Sequence, residues 1–129
     1  MIDHIDHIVL TTRDLAGCVK FYTEGLGMQL EKFQTPTETR MALKFGRQKI
    51  NLHEWGREFS PRAHVAAPGT LDICFIAAIP LDAVIERLKK AGIPIAEGPV
   101  AKTGAVSKLR SIYLRDPDLN LVEISEEVS

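Results

Sequence analysis

The sequence predicts an α+β protein made of two βαβββ modules joined in one chain. Three observations carry this. The chain is self-similar at an offset of 65 residues: Ile8 falls on Ile73, Val19 on Val84, Gly27 on Gly92 and Leu30 on Ile95. Each half runs in the same order, a strand, an amphipathic helix and then further strands, which is the mark of an internal repeat. The strands between Arg40 and Trp55 follow one another too closely for crossover helices, so the sheet is mixed or antiparallel.

The elements follow in order. His7 to Thr12 is a β-branched and aliphatic run and reads as a strand. Leu15, Val19, Tyr22 and Leu26 recur at helical spacing, with Cys18 and Phe21 beside them. Asp14 is placed to cap the start of that helix and Gly27 to stop it. Met28–Phe33, Arg40–Phe45 and Lys49–Trp55 read as strands, the last two joined by a hairpin at Gly46-Arg47-Gln48. The stretch from Gly56 to Gly69 is polar, carries Pro61 and Pro68, and connects the halves. Asp72–Ala77 starts the second half. Leu81, Val84, Ile85 and Leu88 form its helical stripe, which Gly92 ends and Pro94 follows. Ile95–Glu97 reads as a short strand and Lys102–Lys108 as a loop. Ile112–Leu114 and Leu121–Ser125 are the last strands, with a turn at Asp116-Pro117-Asp118.

Composition excludes several functions. The 129 residues are 45% hydrophobic and 26% charged, ordinary for a globular domain. Lys and Arg number 16 against 17 Asp and Glu, with no block of like charge, so there is no basic surface for nucleic acid. The longest apolar run, Ile73 to Ile79, is far short of the roughly 20 residues that span a membrane. The start of the chain has no basic patch leading into an apolar stretch, so no signal peptide is expected and the cytoplasm is the expected compartment. Cys18 and Cys74 are 56 residues apart and form no CxxC pair; both are expected to be buried thiols.

Three segments point further: IDHIVL at Ile5–Leu10, FYTEGLGMQL at Phe21–Leu30 and RDPDLNLVEI at Arg115–Ile124. With the repeat, they make the chain resemble the vicinal oxygen chelate superfamily of glyoxalase I, fosfomycin-modifying transferases, bleomycin-resistance proteins and extradiol dioxygenases. Within it, the chain is most similar to the small glyoxalase-domain proteins. The resemblance implies a single domain over residues 1–129, with modules at about 1–57 and 69–129 forming a curled mixed sheet around a cleft. It implies a homodimer, a small-molecule substrate and a divalent metal: nickel, zinc, manganese or iron. It places the four ligand positions at His7, Asn51, Asp72 and Glu123. Members like glyoxalase I present His, Glu, His and Glu there, so His7 and Glu123 match while Asn51 and Asp72 depart.

The residues themselves leave alternatives open. His7 lies in an apolar strand and is either a metal ligand or a core histidine bonded to backbone. Glu123 alternates with Val122 and Ile124, so it faces away from them; on an inner face it is a ligand and a candidate catalytic base, on an open face an ordinary surface carboxylate. Asp72 is a ligand or a turn-capping residue. Asn51 offers only a neutral carbonyl oxygen and cannot act as a base. His53 leaves the strand on the same face as Asn51 and could supply what Asn51 cannot, giving a His7, His53 and Glu123 set suited to iron. Arg110, Lys108 and Lys102 could hold an anionic substrate, and Trp55, Phe59 and Tyr113 could line an apolar end of the site.

Three functions are thus expected in competition. One is a metal-dependent lyase or isomerase like glyoxalase I, acting on a small oxygen-chelating substrate such as a thiol conjugate. A second is an Fe(II) dioxygenase of the extradiol type. A third is a metal-free protein that sequesters a ligand, as bleomycin-resistance proteins do.

Overall fold

A computed structural model describes residues 1–128 of the chain. It divides at Thr70/Leu71 into two compact units. The first contains β1 (His7–Thr12), α1 (Leu15–Lys20), β2 (Gln29–Gln34), β3 (Thr39–Phe45) and β4 (Gln48–Glu54). The second contains β5 (Asp72–Ile76), α2 (Leu81–Ala91), β6 (Glu97–Thr103), β7 (Lys108–Arg115) and β8 (Leu121–Val128). The βαβββ order therefore occurs twice. Each unit has a four-stranded mixed sheet, in the orders β1-β4-β3-β2 and β5-β8-β7-β6. The β1/β4 and β5/β8 pairs are parallel and all other pairs antiparallel.

Period-2 alternation divides each sheet into an apolar face and a second, more polar face. In the first unit Leu10, Leu43, Ile50 and Leu52 are buried on the apolar face. In the second, Ile112, Leu114, Val122 and Ile124 do the same. The buried residues Leu81, Val84 and Leu88 mark one side of α2. Its first turn is held by a residue from the sheet: Glu126 Oε2 accepts from Leu81 N at 3.0 Å. Pro80, at the cap, has no side-chain donor or acceptor for this task, so a strand carboxylate serves in its place. Gly92 ends α2 at φ 73°, a left-handed position that suits glycine.

Four expectations are corrected by this structure. The first helix is not uniform. Asp14 caps it as expected, Oδ1 accepting from Gly17 N at 2.9 Å, but after Lys20 the chain widens into a π-helical turn over Phe21–Gly25. The bond from Leu26 N to Phe21 O, 3.1 Å, spans five residues. Cys18, Phe21 and Tyr22 are buried, while Leu15, Val19 and Leu26 are half-buried. The short strand expected at Ile95–Glu97 begins at Glu97 and runs to Thr103, and the loop expected from Lys102 shrinks to residues 104–107. Local propensity there is poor; ladder bonds to β7 impose the extended form. A bulge between Glu97 and Val100 accommodates Gly98, at φ 101°, where a Cβ would come within 2.6 Å of Ser111 O. The strand expected at Ile112–Leu114 is extended in both directions by pairing with β8. Finally, Cys18 is buried but Cys74 is exposed, because β5 is an edge strand and Cys74 lies on the polar face.

The RDPDLNLVEI segment owes much of its pattern to a buried turn. Asp116 Oδ1 accepts from the backbone N–H groups of Asp118 and Asn120, both at 2.9 Å, and Oδ2 accepts from Asn120 Nδ2 at 2.8 Å. Asn120 Oδ1 in turn accepts from Leu71 N at 2.9 Å. This network fastens the entry to β8 to the entry to β5, and so sets the register between Asp72 and Glu123.

Candidate functional site

In the first unit, the parallel register sets Val9 beside Asn51 and Thr11 beside His53. His7, Asn51 and His53 therefore share the polar face, with Ala42 of β3 beside Asn51. His7 lies opposite Lys49, two residues before Asn51, which makes His7 and Asn51 diagonal neighbours. The second unit repeats that relation. Asp72 lies opposite Leu121, two residues before Glu123. Each unit thus holds one diagonal pair between its parallel strands.

The His7 side chain is half exposed, and its Nδ1 is 2.8 Å from Asp6 Oδ2. That bond holds the Asp6 carboxyl below its ordinary range. With Nδ1 as the donor, Nε2 carries the free lone pair, the usual preparation of a ligating imidazole by a carboxylate behind it. Asn51 Oδ1 is buried and accepts no hydrogen bond. An orphaned buried acceptor costs about 1–3 kcal/mol, so it marks a place where a partner fits.

His53 is 6% exposed, and its Nδ1 is likewise buried without a partner. Burial pushes its pKa below the ordinary histidine value; Arg40 adds to this, while Glu58 and Glu38 oppose it. The imidazole is therefore neutral near pH 7. The Phe59 ring lies 4.3 Å from it, tilted by 49°. The Arg40 guanidinium sits 3.5 Å from the centroid of the same ring, and Arg40 Nε donates to Glu38 Oε1 at 3.1 Å. Trp55 is 58% exposed, with the Arg13 guanidinium 5.6 Å from its ring.

In the second unit, Glu123 lies beside Cys74 on one side and Tyr113 on the other. Ser125 Oγ donates to Glu123 Oε2 at 3.2 Å. Buried Ser111 pairs with Ser125, Oγ to Oγ at 2.6 Å, and Cys74 Sγ is 3.3 Å from Ser125 Oγ. Burial raises the Cys74 thiol pKa, and the Glu123 charge adds to it against the Ser125 hydrogen bond. Burial and then Glu123 raise the Tyr113 phenol in the same way. Asp72 is exposed at the start of β5.

The structure does not bring Arg110 and Lys108 to Glu123. Both occupy even positions of β7, on the face opposite Tyr113 and Glu123. Arg110 Nη1 instead pairs with Asp82 at 3.1 Å and Glu126 at 3.2 Å, bracing α2. Lys102 does share the Tyr113 face, its Nζ 5.8 Å from that ring. Residues that the sequence reading left without a role are Asp6, Arg40, Ser111 and Ser125. Asp6 is signalled by its place directly before His7, and the serines by polar positions alternating with apolar ones in two strands. Nothing local signals Arg40.

Comparison with known proteins bears on this arrangement. The family model of the Glyoxalase/Bleomycin resistance protein/Dioxygenase superfamily matches residues 4–124. The chain belongs to that superfamily. Among its relatives is Virulence protein STM3117 of Salmonella typhimurium, 48% identical over 128 residues, which are 99% of this chain and 87% of that protein. The crystal structure of that relative superposes with a TM-score of 0.93, covering 99% of each chain. Glyoxalase domain-containing protein RDO1 of Mycosarcoma maydis is 46% identical over 121 residues, 94% of this chain and 66% of that protein. A lactoylglutathione lyase from Agrobacterium tumefaciens superposes at a TM-score of 0.73 with 25% identity, covering 98% of this chain and 95% of that one.

Each diagonal pair is made of donors that a divalent cation accepts: an imidazole and an amide oxygen in the first unit, two carboxylates in the second. His7 is oriented by Asp6 and Asn51 Oδ1 lacks a partner, as such ligands would be before binding. Among the described residues, no three or more His, Cys, Asp or Glu side chains gather into a metal-holding group.

Proposed function

We propose that the protein is a metal-dependent lyase or isomerase acting on a small substrate with two adjacent oxygens, such as a thiol conjugate. His7 with Asn51 and Asp72 with Glu123 are the donor pairs. The observation that carries this reading is the repeated diagonal pair, one in each unit, with His7 Nδ1 already held by Asp6. A divalent cation bound by these donors would supply Lewis acidity toward negative charge on the two substrate oxygens. Glu123 moves the proton on the carbon between them. Ser125 holds Glu123 Oε2, which leaves Oε1 for the cation or for the proton. β1 and β5 are edge strands, and a homodimer would cover such edges.

The test is elemental analysis of protein purified without chelator, beside His7→Ala and Glu123→Ala. One ion per chain, lost in both variants, supports the reading. Isomerisation of the methylglyoxal–glutathione hemithioacetal, abolished by a chelator, supports the reaction class. Iron retained by His7, His53 and Glu123, with oxygen uptake on a catechol, would move the reading to a dioxygenase. Full activity without any ion would refute the metal-dependent mechanism. A second reading, a metal-free protein that sequesters a ligand, is favoured by the second orphaned atom, His53 Nδ1, on the face that holds Asn51.

A further inference from the structure

We propose that Phe59 occupies the place of a ligand: a hydroxylated planar aromatic compound inserts between the Arg40 guanidinium and the His53 imidazole, displaces the Phe59 ring, and hydrogen-bonds His53 Nδ1 through its hydroxyl.

The argument begins with the buried atom. His53 is 6% exposed and its Nδ1 has no partner. The group packed against it is a phenyl ring, which offers no hydrogen bond at its edge. The site is therefore covered but not satisfied. The cover comes from the connector after β4, a segment without regular structure. Its bonds near Phe59 are local: Arg57 N to Glu54 O, Gly56 N to the Glu58 carboxylate, and Arg62 Nη1 to Glu58 O. None of these involves Phe59 itself, whose ring meets the sheet at His53 and Arg40. The 49° tilt between Phe59 and His53 is also neither a parallel stack nor an edge-to-face contact.

Arg40 and His53 supply what a better-matched ring would use. The guanidinium attracts the face of a π-system, and an electron-rich hydroxylated ring more than a phenyl ring. Arg40 is already paired with Glu38, so it favours a neutral ring over a carboxylate. A hydroxyl both donates and accepts, so it satisfies Nδ1 in either tautomer of the neutral imidazole. This inference uses neither Asn51 nor a cation, and it stands apart from the metal-dependent mechanism.

The experiment titrates the full chain with 2-naphthol in the presence of a chelator, following the His53 ring by NMR and the single tryptophan, Trp55, by fluorescence. Wild type, Phe59→Ala, Phe59→Leu and His53→Phe are compared. The expected result is a shift of the His53 ring resonances on binding. Affinity should rise about tenfold when the competing ring is removed in Phe59→Ala, and rise in the same direction in Phe59→Leu. It should fall about tenfold in His53→Phe, which keeps a ring but loses Nδ1. Naphthalene, without the hydroxyl, should bind wild type and His53→Phe alike. Weaker or unchanged binding in both Phe59 variants overturns the proposal. So does undiminished binding in His53→Phe, or the absence of binding in both wild type and Phe59→Ala.

Discussion

Replacing Asp116 with alanine should unfold the protein at a markedly lower temperature. Its carboxylate is 2% exposed and accepts three hydrogen bonds, from the backbone of Asp118 and Asn120 and from the Asn120 side chain. Bonds to a charged acceptor are worth about 1.5–3 kcal/mol each. Truncation also removes the cost of burying the carboxylate, so the net loss is smaller than the gross sum, about 3–4 kcal/mol. For a chain of this length, 1 kcal/mol moves Tm by about 4 °C, which gives a fall of about 10–15 °C. Asp116→Asn keeps an acceptor for the two backbone groups but sets its NH2 against that of Asn120, and should lose about half as much. The assay is thermal unfolding followed by circular dichroism and calorimetry. A fall of less than about 3 °C for Asp116→Ala would refute the reasoning, because the network would then not be what fastens β8 to β5.

Three further outcomes follow from particular residues. Leu119 is exposed and sits at φ 67°, so Leu119→Gly should relieve strain and raise stability by about 0.5–1 kcal/mol, read as Tm; a loss would show that the leucine side chain matters there. Burial lowers the His53 pKa, so the unfolded chain binds this proton more readily than the folded one, and the His53 contribution to stability is complete above the ordinary histidine value and lost as pH falls through it. His53→Gln should therefore lose less stability than wild type between about pH 7.5 and pH 5 in urea titrations, and equal slopes would contradict this. Cys74 is exposed, yet burial of its sulfur and the Glu123 charge raise its pKa. Its alkylation by iodoacetamide should be slower than that of a free thiol at neutral pH and should speed up in Glu123→Gln. A profile with its midpoint at or below that of an ordinary thiol would be inconsistent with this environment.

The sequence by itself determined the elements and their order. Apolar periodicity, the Asp14 cap, the Gly92 stop and the Gly46-Arg47 hairpin are local signals, and local sterics and hydrogen bonding act on them wherever the chain goes. The 65-residue repeat carried the two-module organisation for the same reason. Alternation also placed Glu123 opposite in direction to Val122 and Ile124, and Asn51 on the same face as His53. Everything that depends on which strands lie side by side was decided by tertiary structure. The extension of β6 through Lys102, the exposure of Cys74 and the turning of Arg110 toward Asp82 and Glu126 all follow from ladder register and edge position, which no single segment encodes. So do the seat of Phe59 over His53 and the burial of Nδ1 without a partner. A side chain's chemistry is written in its residue type, but its partners and its solvation come from neighbours distant in the chain, and these exist only once the sheet has formed.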